Sequence, residues 1–299
     1  MNHYLLYIFL ALFMLSGCQA ETTTPIRLNH LEPLPAPTPV TSPPLRVSVA
    51  SIISPQGTVQ SYQPLLDYLS AQLGRQVTLI QRRTYTETNE LIGHNELDVA
   101  FVCTSAYIGM SLLVAPQVNG KTSYHSLLIV PASSSAQTIA DLRDKVFAFT
   151  DPTSFSGRVY PTVLLHEMGE VPETFFRDTF FTYTHDAAIE AVANDLADGA
   201  AVDSLVFDFA VKRNPELLSK IKVIHTSPPF GIPPVVVGSG VRPQLRAELQ
   251  NILLGMADDP SPLAQRALAE LGIERFVMID DAAYASARLL RSRVGLLSP

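Results

Sequence analysis

Phe147-Ala148-Phe149-Thr150-Asp151-Pro152-Thr153-Ser154-Phe155-Ser156-Gly157 is the stretch on which the fold turns. An apolar run of strand character meets a turn set by Asp151-Pro152. Hydroxyl side chains follow, then an apolar stretch with Val163, Leu164 and Leu165 that reads as a helix. The first backbone N–H groups of a helix are unpaired and carry partial positive charge, so they bind anions without help from Lys or Arg. Ser154 and Ser156 can add hydroxyl donors, and Gly157 lets a ligand come close to the backbone. Ser-rich helix starts are equally ordinary N-caps, so this segment alone leaves both readings open.

Working outward, strands and helices alternate. Arg46 to Ala50 reads as a buried strand, followed by a helix with Tyr62, Leu65, Leu66, Leu69 and Leu73 on one face. Pro64 fits that helix's first turn and Gly74 its stop. A strand at 76–81, a short helix at 86–93 and a strand at 98–103 follow. After 126–131, an apolar strand leading into Ser133-Ser134-Ser135, the pattern restarts with strands at 146–150, 179–183, 200–202 and 221–225. A strand at 235–237 and helices at 244–256, 262–271 and 282–293 complete the chain. Such alternation predicts parallel sheet covered by helices.

Composition narrows the function classes. Hydrophobic residues make up 47% of the 299, and charged residues 16%, which suits a globular protein with a sizeable core. The net charge of −7 shows no basic concentration, so nucleic-acid binding is disfavoured, and an anion would have to be held by local donors. Tyr4 to Leu15 is an apolar run short enough for a signal peptide, ending in Leu15-Ser16-Gly17-Cys18. That ending resembles the bacterial lipobox and predicts lipidation of Cys18, although Met1-Asn2-His3 lacks the usual positive charge. Glu21 to Pro44 contains seven prolines and reads as an extended tether. With Cys18 lipidated, Cys103 has no intramolecular partner and reads as a buried small side chain.

From Leu45 onward the chain resembles the phosphate/phosphite/phosphonate-binding proteins of ABC importers. The resemblance rests on Asp151 to Gly157, where the family has Asp-Pro-x-Ser-Thr-Ser-Gly, and on four further stretches in order. These are Asp98-Val99-Ala100-Phe101, Tyr124 to Val130, Thr184-His185-Asp186 and Ser227-Pro228-Pro229. It implies the α/β, two-lobed architecture of type 2 periplasmic binding proteins, each lobe a mostly parallel sheet flanked by helices with the cleft between. The expected divisions are 1–18 signal peptide, 19–44 tether, 45–131 first part of lobe one, 132–227 lobe two and 228–299 the return to lobe one. Phe155 stands where the family has Thr, which removes a hydroxyl: either the backbone N–H compensates, or the ligand carries an apolar substituent that packs on the ring, or specificity has moved toward sulfonates.

The resemblance also implies binding roles. Ser154, Phe155, Ser156 and His185 are expected at the oxyanion, and Asp203 at the ligand's other end, with helix capping the competing role for His185 and Asp203. In the first lobe Tyr85, Thr104, Ser105 and Tyr107 lie at strand C-terminal ends, where open α/β sheets gather ligands, and Tyr124 lies in a matching stretch. Catalytic patterns are missing: His166-Glu167 lacks the second His of the zinc helix motif, and no nucleophile elbow or P-loop occurs. The expectation is therefore a monomeric solute-binding protein with no cofactor or metal, served by ABC permease and ATPase partners. A sensing module for a membrane kinase or chemoreceptor shares the same ligand physics.

Overall fold

The computed structural model describes residues 42–107 and 110–295. The leader, Cys18 and nearly all of the proline-rich stretch lie outside the described residues. The chain runs β1 (Leu45–Val49), α1 (Pro55–Leu73), β2 (Val77–Ile80), α2 (Tyr85–Gly93), β3 (Val99–Phe101) and β4 (Ser111–Gln117). A short strand β5 (Ser123–Tyr124) then leads into β6 (Ser126–Pro131), β7 (Val146–Phe149), α3 (Tyr160–Glu167), β8 (Asp178–Phe181) and α4 (His185–Ala193). Next come β9 (Gly199–Asp203), α5 (Ser204–Arg213), β10 (Ile221–Thr226), β11 (Phe230–Gly231) and β12 (Val235–Val237). The chain closes with α6 (Pro243–Gly255), α7 (Pro262–Leu271), β13 (Arg275–Val277) and α8 (Ala285–Arg293).

Two sheets result. One has the order β13-β4-β12-β3-β1-β2 and the other β10-β6-β9-β7-β8. Each contains a parallel trio, β2-β1-β3 and β8-β7-β9, joined by helical crossovers. The remaining strands add antiparallel pairs: β4, β6, β10 and β12 flank the two crossings, and β13 adds an edge to the first sheet. The two crossings are themselves paired: β5 and β11 form an antiparallel ribbon with Tyr124 opposite Phe230 and Ser123 opposite Gly231.

Three expectations need correction. The strand Ser126–Pro131 was placed at the end of the first lobe, but its hydrogen bonds run to β9 and β10, so it belongs to the second sheet and the chain crosses at β5. Its unbroken apolar run reflects burial on both faces: Leu127 and Ile129 join one core layer, Leu128 and Val130 the other. Helix α1 begins earlier than expected, at Pro55, with the Ser54 side chain accepting from the Gly57 N–H; Pro64 therefore lies inside the helix, not in its first turn. Strand β4, which carries Pro116 opposite Phe276, was not anticipated.

A separate apolar cluster lies between the sheets. It contains Ala50, Tyr85, Cys103, Tyr124, Phe155, Tyr160 and Phe230, contributed by both sheets and by the ribbon. This cluster lies where the strand C-terminal ends of both halves meet.

Candidate functional site

The Asp-Pro turn after β7 does more than reverse the chain. Asp151 is fully buried, and its Oδ1 accepts from the N–H and the hydroxyl of Thr153, both at 2.7 Å. Its Oδ2 accepts from the Tyr85 N–H at 2.9 Å, reaching the first turn of α2 on the other half of the molecule. Asp151 is thus a tie between the halves as well as a turn residue, and nothing in the letters Asp-Pro distinguishes the two.

Ser154 is the cap, with its Oγ accepting from the Gly157 N–H at 3.1 Å. The first turn, Phe155–Val159, is wider than an α-turn, and the Tyr160 N–H reaches back to the Phe155 carbonyl before α3 begins. Gly157 was expected to admit a ligand; its actual neighbour is Thr150. A Cβ at 157 would lie 1.8 Å from Thr150 Oγ1 and 2.7 Å from two of its carbons, so only glycine fits. The Phe155 N–H points to the Cys103 Sγ at 3.4 Å. Two of the helix-start donors expected at an anion are therefore used inside the protein. The Phe155 ring is fully buried and packs edge-on against Phe230, centroids 4.6 Å apart.

Other donors remain. The hydroxyls of Tyr85, Tyr124 and Ser156 are buried and outside ideal hydrogen-bond geometry with any described residue, although those of Tyr124 and Ser156 lie close enough to interact with each other. The Tyr124 hydroxyl lies beside those of Thr104 and Ser156. Burial pushes both tyrosines well above their ordinary range, so they stay protonated and able to donate. Thr104 Oγ donates to the Gly231 carbonyl at 2.7 Å, tying the first half to the ribbon, and Ser105 Oγ donates to the Thr153 carbonyl, tying it to the second. Tyr107 lies elsewhere: it packs on Tyr284 at 5.0 Å, with its hydroxyl toward Asp281.

His185 opens α4 and is 1% exposed. Its Nδ1 sits 3.0 Å from the Asp203 N–H, which can only donate, so the ring proton belongs on Nε2. Burial pushes the ring down to about 3, which keeps it a neutral donor at Nε2. Asp203 caps α5, with Oδ1 accepting from the N–H groups of Leu205 at 2.7 Å and Val206 at 3.4 Å. Burial pushes its carboxyl up to about 7, against the pull of those two N–H groups, and Asp208 raises it further.

The chemistry follows from these states. A histidine whose Nδ1 is occupied and whose Nε2 holds the proton cannot accept one from Ser154 or Ser156, so the serine–histidine proximity makes no nucleophile–base pair. Among the described residues no group of three or more His, Cys, Asp or Glu side chains could hold a metal ion. What the site offers is a set of neutral donors in a dry space, which suits a small oxyanion. The sequence reading gathered Tyr85, Tyr124, Ser156, His185 and Asp203 into this region. It missed Thr150 and Asp151, whose roles arise only from contacts distant in sequence.

A family described as the periplasmic substrate-binding protein of phosphonate ABC transporters matches residues 47–284. A phosphate-import protein of Mycolicibacterium smegmatis is 29% identical over 163 residues, covering 49% of this chain and only 51% of that relative's length. The phosphonates-binding periplasmic protein of Escherichia coli is 23% identical over 231 residues, 74% of this chain and 68% of its own. Among solved structures, a binding protein component of an ABC phosphonate transporter from Pseudomonas aeruginosa superposes with a TM-score of 0.78. It shares 23% identity and covers 85% of this chain and 87% of that one. The two mixed sheets joined by a paired crossing are the fold of this chain, and the chain belongs to the family of periplasmic substrate-binding proteins of phosphonate ABC transporters.

Proposed function

We propose that this chain is an extracytoplasmic lipoprotein, anchored through Cys18, that captures a small phosphorus oxyanion and delivers it to an ABC permease and its ATPase. The observation that carries the ligand reading is the cluster of buried hydroxyls at Tyr85, Tyr124 and Ser156, none in ideal hydrogen-bond geometry with the protein. They come from α2, the ribbon and the α3 entry, so closing the two halves brings them onto one guest. Buried polar groups are almost always satisfied; an oxyanion with several lone pairs per oxygen satisfies all three at once. His185 Nε2 and protonated Asp203 add donors at the same junction. The halves, about 45–122 with 232–299 and 126–226, swing on the β5–β11 ribbon.

Support for the anchor comes from the Leu15-Ser16-Gly17-Cys18 ending and the proline-rich tether. No helix among the described residues is long and apolar enough to cross a membrane. Thermal unfolding with phosphate, phosphite, methylphosphonate and taurine tests the ligand class. A ligand present at a hundred times its Kd stabilises by about 2.7 kcal/mol, a rise of several degrees. A shift with taurine alone would replace the phosphorus assignment with a sulfonate one. Loss of radiolabelled palmitate incorporation in Cys18→Ala, in a bacterial host, tests the anchor.

A further inference from the structure

The space between the halves has two mouths of unlike charge, separated by the segment 51–55 that follows β1. Ser51 and Pro55 line one, a recess of about 530 Å³, and Ile52 and Ile53 line the other, a cavity of about 320 Å³. The recess takes Arg82 and Arg83 from the first half and Thr182, Tyr183 and Thr184 from the second, and no Asp or Glu lines it. The cavity takes Asp203, Asp208 and Glu270 against one cation, Lys212. Even with Asp203 neutral, its two other carboxylates outnumber its cation. The recess adjoins the donor site. Thr184 precedes His185, whose N–H donates to the Ile52 carbonyl at 2.8 Å, and Arg83 lies two residues before Tyr85.

Both arginines present their charge to solvent. Arg82 and Arg83 are exposed, and neither forms an ion pair among the described residues. Two carboxylates near these loops are held by other donors. Glu87 accepts from the N–H groups of Arg83 and Thr84 and from the Thr84 hydroxyl, and Asp186 from the N–H groups of Ser54 and Ala187. The Arg83 guanidinium rests over the Tyr183 ring, so the recess lies where the halves part on opening. A chain of net charge −7 repels an anion at long range, and a cleft lined by one sign of charge focuses that field locally. We infer that the oxyanion enters and leaves the cleft through the Arg82–Arg83 recess, which collects it by charge and passes it to the buried donors, while Asp208 and Glu270 turn it away from the other mouth. The inference rests on the oxyanion reading proposed above and adds the route and its two steering residues.

Stopped-flow binding of inorganic phosphate and of methylphosphonate, followed by tyrosine fluorescence in this Trp-free chain, tests it. At about 0.1 M salt, where charges are felt over about 10 Å, Arg82→Gln with Arg83→Gln should lower the association rate about fivefold, a modest case of electrostatic steering. At about 1 M salt the variant and the parent should converge. Arg82→Lys with Arg83→Lys should restore the rate, because steering needs the charge and not the guanidinium fork. Lys145→Gln with Lys220→Gln removes the same charge from exposed positions before β7 and β10, at the end of the second sheet away from the cleft. That control should stay within about twofold of the parent. A glutamine pair at 82 and 83 that binds as fast as the parent, or a lysine control that slows equally, would overturn the inference. So would a change confined to the dissociation rate, which would make the arginines contacts of the closed form and not of the entrance. Failure of both anions to bind the parent would remove the oxyanion reading itself, and this inference with it.

Discussion

Ser154 and Ser156 sit two residues apart with the same side chain, and the structure gives them opposite jobs that two assays can separate. Ser154 Oγ is a cap, accepting from the Gly157 N–H at 3.1 Å. Ser154→Ala should therefore lower stability by about 1 kcal/mol, a fall in Tm of roughly 2–4 °C for a protein of this size. Ser156 Oγ is buried beside the Tyr124 hydroxyl, with no well-formed hydrogen bond to the protein. Its removal should leave the ligand-free protein as stable or slightly more stable, because a poorly satisfied polar atom is no longer buried. With ligand the order reverses. A hydrogen bond to a charged oxygen contributes about 1.5–3 kcal/mol, so Ser156→Ala should weaken binding about 10- to 150-fold, well beyond the effect of Ser154→Ala. Calorimetric titration gives the affinities and thermal unfolding without ligand gives the stabilities. If Ser156→Ala unfolds as early as Ser154→Ala while keeping its affinity, the Ser156 hydroxyl is not a ligand donor and the reasoning fails.

Gly157→Ala should destabilise by about 1–3 kcal/mol through its collision with Thr150; adding Thr150→Gly should leave the double variant less destabilised than the sum of the two, as a double-mutant cycle would measure. Asp203 is pushed up from 3.8 to about 7, so the stability tied to its neutral form is complete below pH 3.8 and lost as pH rises through 7. Asp203→Asn, which can still cap α5, should therefore gain on the parent between pH 4 and 7 in urea unfolding, by roughly 2–4 kcal/mol at the upper end. His185 runs the other way. Its ring is pushed down from 6.5 to about 3, so its contribution is complete above pH 6.5 and lost as pH falls toward 3, a window that disappears in His185→Gln. The Arg83 guanidinium lies 4.8 Å from the Tyr183 ring centroid, spanning the two halves. Arg83→Ala should raise the ligand off-rate in stopped flow about two- to fivefold, the scale of an exposed cation–π contact; an unchanged rate would mean that the contact does not hold the halves closed.

Much of this was legible in the letters because it is local. Helix stops at Gly74 and Gly272 and the apolar runs of β1, β7 and β9 follow from propensity and period alone. Polar strand ends likewise pointed to Tyr85, Ser156, His185 and Asp203. What escaped is set by partners far along the chain. Ser126–Pro131 has a strand's composition, but only its pairing with Asp203 to Ala200 says which sheet owns it. Phe155 has its aromatic partner in Phe230, 75 positions later. Tyr107 follows a strand end as Thr104 and Ser105 do, but the Tyr284 ring draws it out of the site. Thr150 and Gly157 each look unremarkable until one sees that the second has no side chain because the first needs the room.

The β5–β11 ribbon has a consequence for the order in which a guest is held. Tyr124 belongs to the ribbon itself, paired with Phe230, and it carries one of the buried donor hydroxyls. A group at a pivot travels least when the arms swing, whereas Ser156 and Tyr85 ride on the arms. On the proposed swing, Tyr124 is therefore the mooring that moves least. A guest can tie up there first and wait for the arms. The joint then doubles as a gauge: a change at Tyr124 alters first contact and the ease of folding shut together, and the two cannot be tuned apart at that position.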